Sequence, residues 1–427
     1  MTGGRAESGI EPERDAAALR RRVLLLPGHD ATEMDYHHGR FANQAGRFSK
    51  LWNVSTDVSA REDGGDSLGA HWSVRTQGPN WQTATVYEVL RWEDIVVALD
   101  RRSAAARLFG GFSALGDFLV SGTAWRYLRA CVRYGLFFFF PFLVVGLFAA
   151  LGGAAGWLMA CALAWAAPAL PAAAAVLAGL ATGVAVFAGL VHQPGRSWRL
   201  HQALDDWDLA RAYMRGRAPE LEARLDHFAQ MLIDRVRAGT DDEIILVGHS
   251  LGATLALGVL DRALDRAPDL CAGPTRLCLL TVGATIPKLG LHPAGARVRA
   301  QAARVAATPG LVWAEYQSRH DAINFHKVHP VLLRRIDPSR PHPPPIVRTV
   351  SLKQMLTPHS FRRHRWSMMR LHYQFLLANE RRAPYDYFMI ALGPVPFAEL
   401  VAAPAGTAGR FAPDGTLLPP AASSDRT

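Results

Sequence analysis

The sequence predicts an α/β fold, in which a mostly parallel sheet is flanked by helices and interrupted by a transmembrane hairpin of two helices. Short apolar runs alternate with segments of helical spacing along most of the chain, and this alternation is typical of parallel sheets. From residue 135 to 191, 57 consecutive residues include no Lys, Arg, Asp, Glu or His. An apolar strand at 243–247 leads directly into a helical segment at Ser250.

The overall composition excludes several classes of protein. With 427 residues, of which 49% are hydrophobic and 20% charged, the chain is not a wholly disordered one. Its four cysteines are too few and too scattered for a disulfide framework, and no Cys-x-x-Cys pair indicates a structural zinc site. The net charge of +10, from 47 basic and 37 acidic residues, is spread along the chain without a basic module rich in aromatics. We therefore expect an anionic membrane surface as the partner and no binding to nucleic acid.

The uncharged stretch is long enough for two membrane spans, since one span takes about 20 residues. The first is expected from Gly135 to about Ala160 and the second from about Pro171 to Val191, with Pro168 at the break. The alternative is a buried helical hairpin inside a large soluble protein. It is disfavoured because core helices rarely run this long without a charge.

The flanks of this stretch predict its orientation. Arg126, Arg129 and Arg133 precede the first span, and Arg196 and Arg199 follow the second. Basic residues next to a span stay in the cytoplasm, so both ends are expected there. The amino terminus lacks the basic-then-apolar order of a secretory signal. We therefore expect a two-span protein of the inner (cytoplasmic) membrane whose soluble parts face the cytoplasm, with the lipid bilayer as its partner.

The remaining sequence predicts one soluble domain split by the hairpin. The expected organisation is an unstructured terminus (1–18), a first part of the α/β domain (19–133), the hairpin (134–192), a second part (193–400) and an unstructured tail (401–427). Strands are expected at 23–26, 83–90, 243–247, 276–282, 311–316 and 344–352, and helices at 220–237, at about 361–380 and after a cap at Asp30. Because the strand at 23–26 and the strand at 243–247 belong to one sheet, the number of membrane crossings must be even.

The segment 108–134 has two interpretations. Its aromatic and leucine residues stand beside several arginines, which favours a position in the membrane interface. The same pattern fits an ordinary amphipathic helix packed on the sheet. The residues concerned are Phe109, Phe112, Leu115, Phe118, Trp125 and Leu128.

The sharpest motif is Glu-Ile-Ile-Leu-Val-Gly-His-Ser-Leu-Gly-Ala-Thr at 243–254, a strand that turns into a helix at Ser250. This arrangement is typical of a nucleophile elbow, in which the turn exposes the serine hydroxyl. Gly248 and Gly252 are expected where a Cβ would collide with the neighbouring strand and helix. The helix amino terminus directs the amide of Leu251 at a developing oxyanion. The alternative is a glycine-rich turn whose serine has no chemical role.

An activated serine needs an acid and a histidine, which follow it in this order on such a fold. Asp321, in the loop after the strand at 311–316, is the expected acid, and Asp337 is the weaker rival. His359, His364 and His372 all follow the last strand closely, and the spacing alone leaves the base open among them. The second oxyanion donor is expected to be the backbone amide of His29, at the end of the first strand.

The elbow, the early Pro-Gly turn and the order of these residues resemble the α/β-hydrolase superfamily over roughly 20–130 and 200–395. Gly-His-Ser-Leu-Gly is the variant frequent in its lipases and esterases. The segments Asp-Ala-Ile-Asn-Phe-His-Lys-Val-His-Pro and Leu-His-Tyr-Gln-Phe-Leu-Leu-Ala-Asn-Glu are similar to those of bacterial membrane-associated hydrolases of unassigned substrate. This resemblance implies His372 as the base. The hairpin is a departure, because it interrupts the fold where a soluble member continues its sheet.

Together these observations predict a membrane-anchored serine hydrolase that cleaves an ester or thioester through an acyl-enzyme on Ser250. Its expected machinery is Ser250, Asp321 and His372 with the amides of Leu251 and His29, and no cofactor or metal is expected. The membrane location suggests a lipid or acyl-ester substrate. The alternative is a non-catalytic membrane scaffold or lipid-binding protein on the same fold.

Overall fold

The computed structural model describes residues 18–30, 32–64, 68–403 and 405–419. Within these ranges nine strands form one mixed, mostly parallel sheet. The expectations for residues 1–17 and 420–427 lie outside the described residues. The fold class is therefore α/β.

The strands are β1 Leu19–Leu26, β2 Ser55–Val58, β3 Glu62–Asp63, β4 Gly69–Gln77, β5 Gln82–Leu90, β6 Glu243–His249, β7 Arg276–Val282, β8 Val312–Ser318 and β9 Ile346–Val350. They follow the order β2-β4-β5-β1-β6-β7-β8-β9 across the sheet, and β3 pairs with the start of β4. β4 is antiparallel to its neighbours, whereas β5, β1 and β6 to β9 run parallel to one another.

Helices cover both faces of the sheet. Leu24 and Leu26 of β1 point into one hydrophobic core, and Val23 and Leu25 point into the other. The helices are α1 Met34–Trp52, α2 Glu93–Asp100, α3 Ala104–Val120, α4 Thr123–Ala130, α5 Val132–Ala166, α6 Ala172–His192, α7 Pro194–Ser197, α8 Leu200–Met214, α9 Pro219–Ala238, α10 Leu251–Arg266, α11 Ile286–Gly290, α12 Ala296–Ala307, α13 Leu352–Met355, α14 Pro358–His364, α15 Met368–His372, α16 Tyr387–Leu392 and α17 Phe397–Ala402.

The helices α5 and α6, called the apolar hairpin below, are long and apolar enough to cross a membrane. They approach to backbone contact: a Cβ on Gly156 would lie 2.5 Å from the carbonyl oxygen of Gly179. Small residues of this kind allow close packing of helices in an apolar environment. One face of the first turns of α5 packs on the domain, because Phe138 and Phe142 are buried in its core. Much of the remaining apolar surface of the hairpin is exposed.

The expected helix at 361–380 is wrong as a continuous element. The chain instead forms α14, α15 and a 3₁₀ turn at Tyr373–Leu376, after which it is extended at Leu377. Glu380 returns to the start of this segment, where its amide donates to the carbonyl of Met355 and its carboxylate accepts from Thr357. These contacts hold the segment in a compact turn, which a straight helix could not reach.

Two further expectations about chain ends and caps differ from the structure. Asp30 does not cap α1, which begins at Met34; its carboxylate accepts hydrogen bonds from the hydroxyls of Thr32 and Tyr373. The described part of the tail is not unstructured, because Phe411 is buried against Trp52 and other aromatic side chains. Burial of this ring explains why the segment 405–419 stays on the domain.

The segment 108–134 contains α3, α4 and the start of α5. Phe118 and Tyr127 are buried in the core, where they pack against Trp207 of α8. Phe109 and Trp125 are exposed on the outside. One face of this segment therefore packs on the domain, while its outer face keeps large apolar side chains in contact with the surroundings.

Candidate active site

Ser250 stands between the end of β6 and the start of α10 in a strained backbone conformation. Its φ of 57° and ψ of −124° lie in a region that non-glycine residues rarely adopt. Backbone hydrogen bonds hold this turn: the Ser250 amide donates to the carbonyl of Val282 at 3.2 Å, and its carbonyl accepts from the amide of Thr285 at 3.3 Å. The turn is thereby fixed against the end of the neighbouring strand β7.

Three glycines make room for this turn. A Cβ on Gly248 would lie 2.5 Å from the Cα of Ala253, and one on Gly252 would lie 2.2 Å from the carbonyl oxygen of Leu26. A Cβ on Gly28 would lie 2.9 Å from the Cβ of Ser250. The elbow motif does not predict a glycine at position 28, because this residue follows the adjacent strand β1.

His372 and Asp321 form a buried pair. His372 Nδ1 lies 2.8 Å from Asp321 Oδ2, with the two side chains 2% and 0% exposed. The second carboxylate oxygen of Asp321 accepts from the amide of Ile323 at 2.9 Å. His372 Nε2 is shielded from solvent and has no hydrogen-bond partner among the described residues. The carboxylate therefore orients the ring so that Nε2 remains free to exchange a proton.

Gly283 connects this pair to the serine. It follows β7 directly, with a positive φ of 54°, and the carbonyl of the preceding Val282 accepts the amide of Ser250. A Cβ on Gly283 would lie 3.0 Å from His372 Cε1 and 3.4 Å from Asp321 Oδ2. The histidine and the acid are thus packed against the residue that adjoins the serine turn.

The other expected candidates lie elsewhere. His359 is exposed at the start of α14, and His364 is at its end. Asp337 is exposed and accepts hydrogen bonds from the amide and hydroxyl of Ser339. Of the three histidines and two acids, the structure joins His372 to Asp321.

The two expected oxyanion donors leave the sheet side by side. Leu26 of β1 is opposite Gly248 of β6 in the parallel register, so the segments that follow are neighbours. His29 is three residues beyond the end of β1, and Leu251 is the first residue of α10. Amides at a helix amino terminus carry partial positive charge, which suits an oxyanion.

A polar cluster near this position was missed by the sequence analysis. Lys288 is 2% exposed, and its Nζ lies 2.5 Å from Asp206 Oδ2 and 4.2 Å from the centre of the Trp207 ring. Both ring nitrogens of His29 are shielded without a hydrogen-bond partner among the described residues. Burial lowers the pKa of His29, so the ring is neutral near pH 7. The only sequence signal was a lysine inside an otherwise apolar run.

Glu315 is a second buried group that the sequence analysis missed. It stands on β8, where its carboxyl oxygens accept hydrogen bonds from Gln317 at 2.6 Å and Thr281 at 3.1 Å. Burial raises the pKa of Glu315 to about 7. Gln317 also donates to the carbonyl of Val328 and accepts from the amide of Lys327. This network ties the end of β8 to the loop that follows Asp321.

The described residues include no cluster of three His, Cys, Asp or Glu side chains arranged to hold a metal ion. Comparisons of the chain with models of protein families, with curated proteins and with solved structures found no match. The chemistry of the site therefore rests on the geometry described above.

Proposed function

We propose that the protein is a membrane-anchored serine hydrolase with an α/β-hydrolase fold, which cleaves an ester or thioester. The buried pair of Asp321 and His372, packed beside the strained turn at Ser250, carries this proposal. The chain order of serine, acid and histidine and the position of the serine at a strand-to-helix turn also support it.

In the proposed reaction Ser250 Oγ attacks the acyl carbon of the substrate while His372 Nε2 takes its proton. The amides of Leu251 and His29 donate to the oxyanion that forms on the acyl oxygen. The bond from the acyl carbon to the alcohol or thiol then breaks, and His372 protonates the leaving group. Water activated by the same histidine releases the acid and restores Ser250. Asp321 keeps the ring oriented through both steps.

The exposed surface of the apolar hairpin supports the membrane anchor, because a large apolar surface of this kind is unfavourable in water. The arginines on both flanks support an inner-membrane location with the hydrolase in the cytoplasm. The location in turn makes a lipid or another acyl ester the proposed substrate. Reporter fusions at residue 120 and at the carboxyl end test this topology: both should give a cytoplasmic signal, and opposite signals would contradict it.

Hydrolysis assays on the purified full-length protein test the reaction. A panel of acyl esters and thioesters presented in detergent micelles should be cleaved by the wild type and not by Ser250→Ala. Equal rates for the two proteins would contradict the proposal.

One observation favours a second candidate, a non-catalytic scaffold or lipid-binding protein. His372 Nε2 has no hydrogen-bond partner among the described residues, so the hydrogen bond to Ser250 expected of an activated serine is not formed. Such bonds are often long before substrate binds, which is why the hydrolase remains the first proposal. A folded wild type that cleaves none of the panel would favour the scaffold.

A further inference from the structure

A basic cavity of about 460 Å³ opens at the start of α5, and its lining includes none of Ser250, Asp321 and His372. We define it by its lining residues, which are mostly cationic and come from four separate segments of the chain. They are Arg133, Arg319, His326, Lys327, Arg335 and Thr349.

Hydrogen bonds to main-chain carbonyls hold in place the segments that line the basic cavity. The Arg133 guanidinium donates to the main-chain carbonyl of Arg319, which joins the start of α5 to the loop of Asp321. In the next loop, Val328 pairs with Arg335, and the amide of Ile336 donates to the carbonyl of Lys327 at 2.9 Å. The cationic side chains therefore project from a fixed backbone.

Acidic side chains of the described residues do not neutralise the positive charge of the basic cavity. In the described ranges, none of Arg133, Arg319, Lys327 and Arg335 forms an ion pair with Asp or Glu. His326 Nε2 is shielded and unpartnered among the described side chains. Burial and these four cations lower the pKa of His326 to about 4, so its ring is neutral near pH 7. Four unpaired cations around one cavity favour an anionic ligand, and guanidinium groups suit the oxygens of a phosphate.

The position of the basic cavity indicates the source of that phosphate. Val132, Leu136, Leu143 and Leu147 form an apolar stripe along the outside of α5 and are 60%, 61%, 69% and 51% exposed. If the hairpin spans the membrane, this stripe faces acyl chains from the first turn of α5 onwards. Arg133, which adjoins Val132, then lies at the level of the lipid headgroups.

An exposed tryptophan near the same loop also fits a position at the level of the lipid headgroups. The ring of Phe361 on α14 lies 5.2 Å from the ring of His320, which follows Arg319. Beyond α14, Trp366 is 83% exposed, with the Arg365 guanidinium 5.3 Å above its ring. Exposed tryptophan beside arginine is typical of the membrane interface.

We propose that the basic cavity binds the phosphate of an anionic phospholipid from the leaflet next to the soluble domain. This site is separate from the proposed hydrolytic reaction: it rests on the proposed membrane placement and requires nothing of Ser250. The bound lipid would link the start of α5 to the loop that carries Asp321.

The test uses detergent-solubilised full-length protein titrated with a short-chain phosphatidylglycerol, while the thermal unfolding midpoint is recorded. Parallel titrations use the matching phosphatidylcholine and inorganic phosphate. The variant is Arg319→Gln/Arg335→Gln. The matched control, Arg237→Gln/Arg276→Gln, removes the same charge from exposed arginines that do not line the cavity. Arg276 is at the amino end of β7, whereas Arg319 follows the carboxyl end of the parallel strand β8.

We expect phosphatidylglycerol to raise the midpoint of the wild type and of the control. The double cavity variant should bind it roughly 30-fold more weakly, since each of the two arginines contributes about 1 kcal/mol near a lipid surface. An equal loss in both variants would overturn the site in favour of general charge attraction. An equal effect of inorganic phosphate would overturn the lipid assignment.

If the double variant is unstable without lipid, the single variant Arg335→Gln replaces it in the same titrations, because Arg335 is remote in sequence from Asp321. Labelling of Ser250 in the same samples separates failure of this site from failure of the hydrolase proposal.

Discussion

Asp321 and His372 stand 51 residues apart in the chain, yet their side chains meet at 2.8 Å in an interior where both are almost fully shielded. Asp321 follows β8, and His372 ends the short helix α15. Gly283, at the end of β7, fills the space beside them. A buried carboxylate bonded to an imidazole whose other nitrogen is unpartnered is an arrangement suited to proton transfer.

His372→Ala should lower turnover of a cleaved ester by on the order of 10⁴-fold or more, because Ser250 loses the group that takes its proton. Asp321→Asn should lower it less, since Asp321 orients the ring without taking the proton. His364→Ala and His359→Ala are the controls and should retain near wild-type rates. Steady-state kinetics with circular dichroism as a folding check would measure this. Loss of activity in a control with an active His372→Ala protein would exclude His372 as the base.

Gly28→Ala should reduce the reactivity of Ser250 while the domain stays folded, because the new Cβ would lie 2.9 Å from the serine Cβ and displace it. Gly46→Ala is the matched control. Gly46 lies inside α1 with open space around its Cα, so alanine should stabilise the protein by about 0.5–1 kcal/mol. Rates of serine labelling and thermal midpoints of both variants check this. Unchanged labelling of Gly28→Ala would show that the turn tolerates a Cβ.

Arg21→Met should destabilise the protein by about 3–5 kcal/mol, because it leaves the buried carboxylate of Glu243 without its cationic partner. Arg21 also donates to the carbonyls of Gly393 and Val395, so the loss should loosen the carboxyl-terminal segment. Arg20→Met is the control: its partner Asp242 is largely solvated, and the cost should stay below about 1 kcal/mol. Denaturant unfolding followed by tryptophan fluorescence compares the two. Equal costs would mean that burial of Arg21 contributes little.

Glu315→Gln should change how stability depends on pH. The folded protein keeps the Glu315 proton up to about pH 7, whereas the unfolded chain releases it near its ordinary pKa of 4.5. Between these values the folded state binds more protons than the unfolded chain, so the free energy of unfolding falls as pH rises. Above pH 7 Glu315 is ionised in both states, and the full cost of burying its charge lowers the stability. The variant should therefore gain stability relative to the wild type between pH 5 and pH 8.

Thermal midpoints of the wild type and Glu315→Gln at these two pH values would measure the effect. Glu399→Gln, at a largely exposed position, is the control and should follow the wild-type profile. Parallel profiles for Glu315→Gln and the wild type would contradict the assignment of a raised pKa to this carboxyl.

Local patterns in the sequence were enough to predict the strands around the serine. The strand expected at 276–282 has these bounds in the structure, and the serine turn follows β6 as expected. β4 was missed although its residues alternate between buried and exposed from Trp72 onwards, so its period of two was an available signal. The helix expected at 361–380 is interrupted, because Glu380 turns back to contact Met355 and Thr357.

The contacts that complete the site could not be derived from local pattern. The pairing of Asp321 with His372 depends on loops that follow different strands, and the residues alone left three histidines open. Lys288 contacts Asp206 across 82 positions, and Gly28 is required by the turn at Ser250 that follows the neighbouring strand β6. Such contacts depend on how the strands are ordered in the sheet, which periodicity does not specify.

Fluorophosphonate labelling of the full-length protein tests directly whether Ser250 is an activated nucleophile. The reagent reacts with such a serine through loss of fluoride and formation of a bond from the serine oxygen to phosphorus. We expect one adduct on the wild type, located by peptide mass mapping at Ser250, no adduct on Ser250→Ala and a strongly reduced one on His372→Ala. A folded wild type that stays unlabelled, or an adduct that persists in Ser250→Ala, would contradict the assignment of Ser250 as the nucleophile.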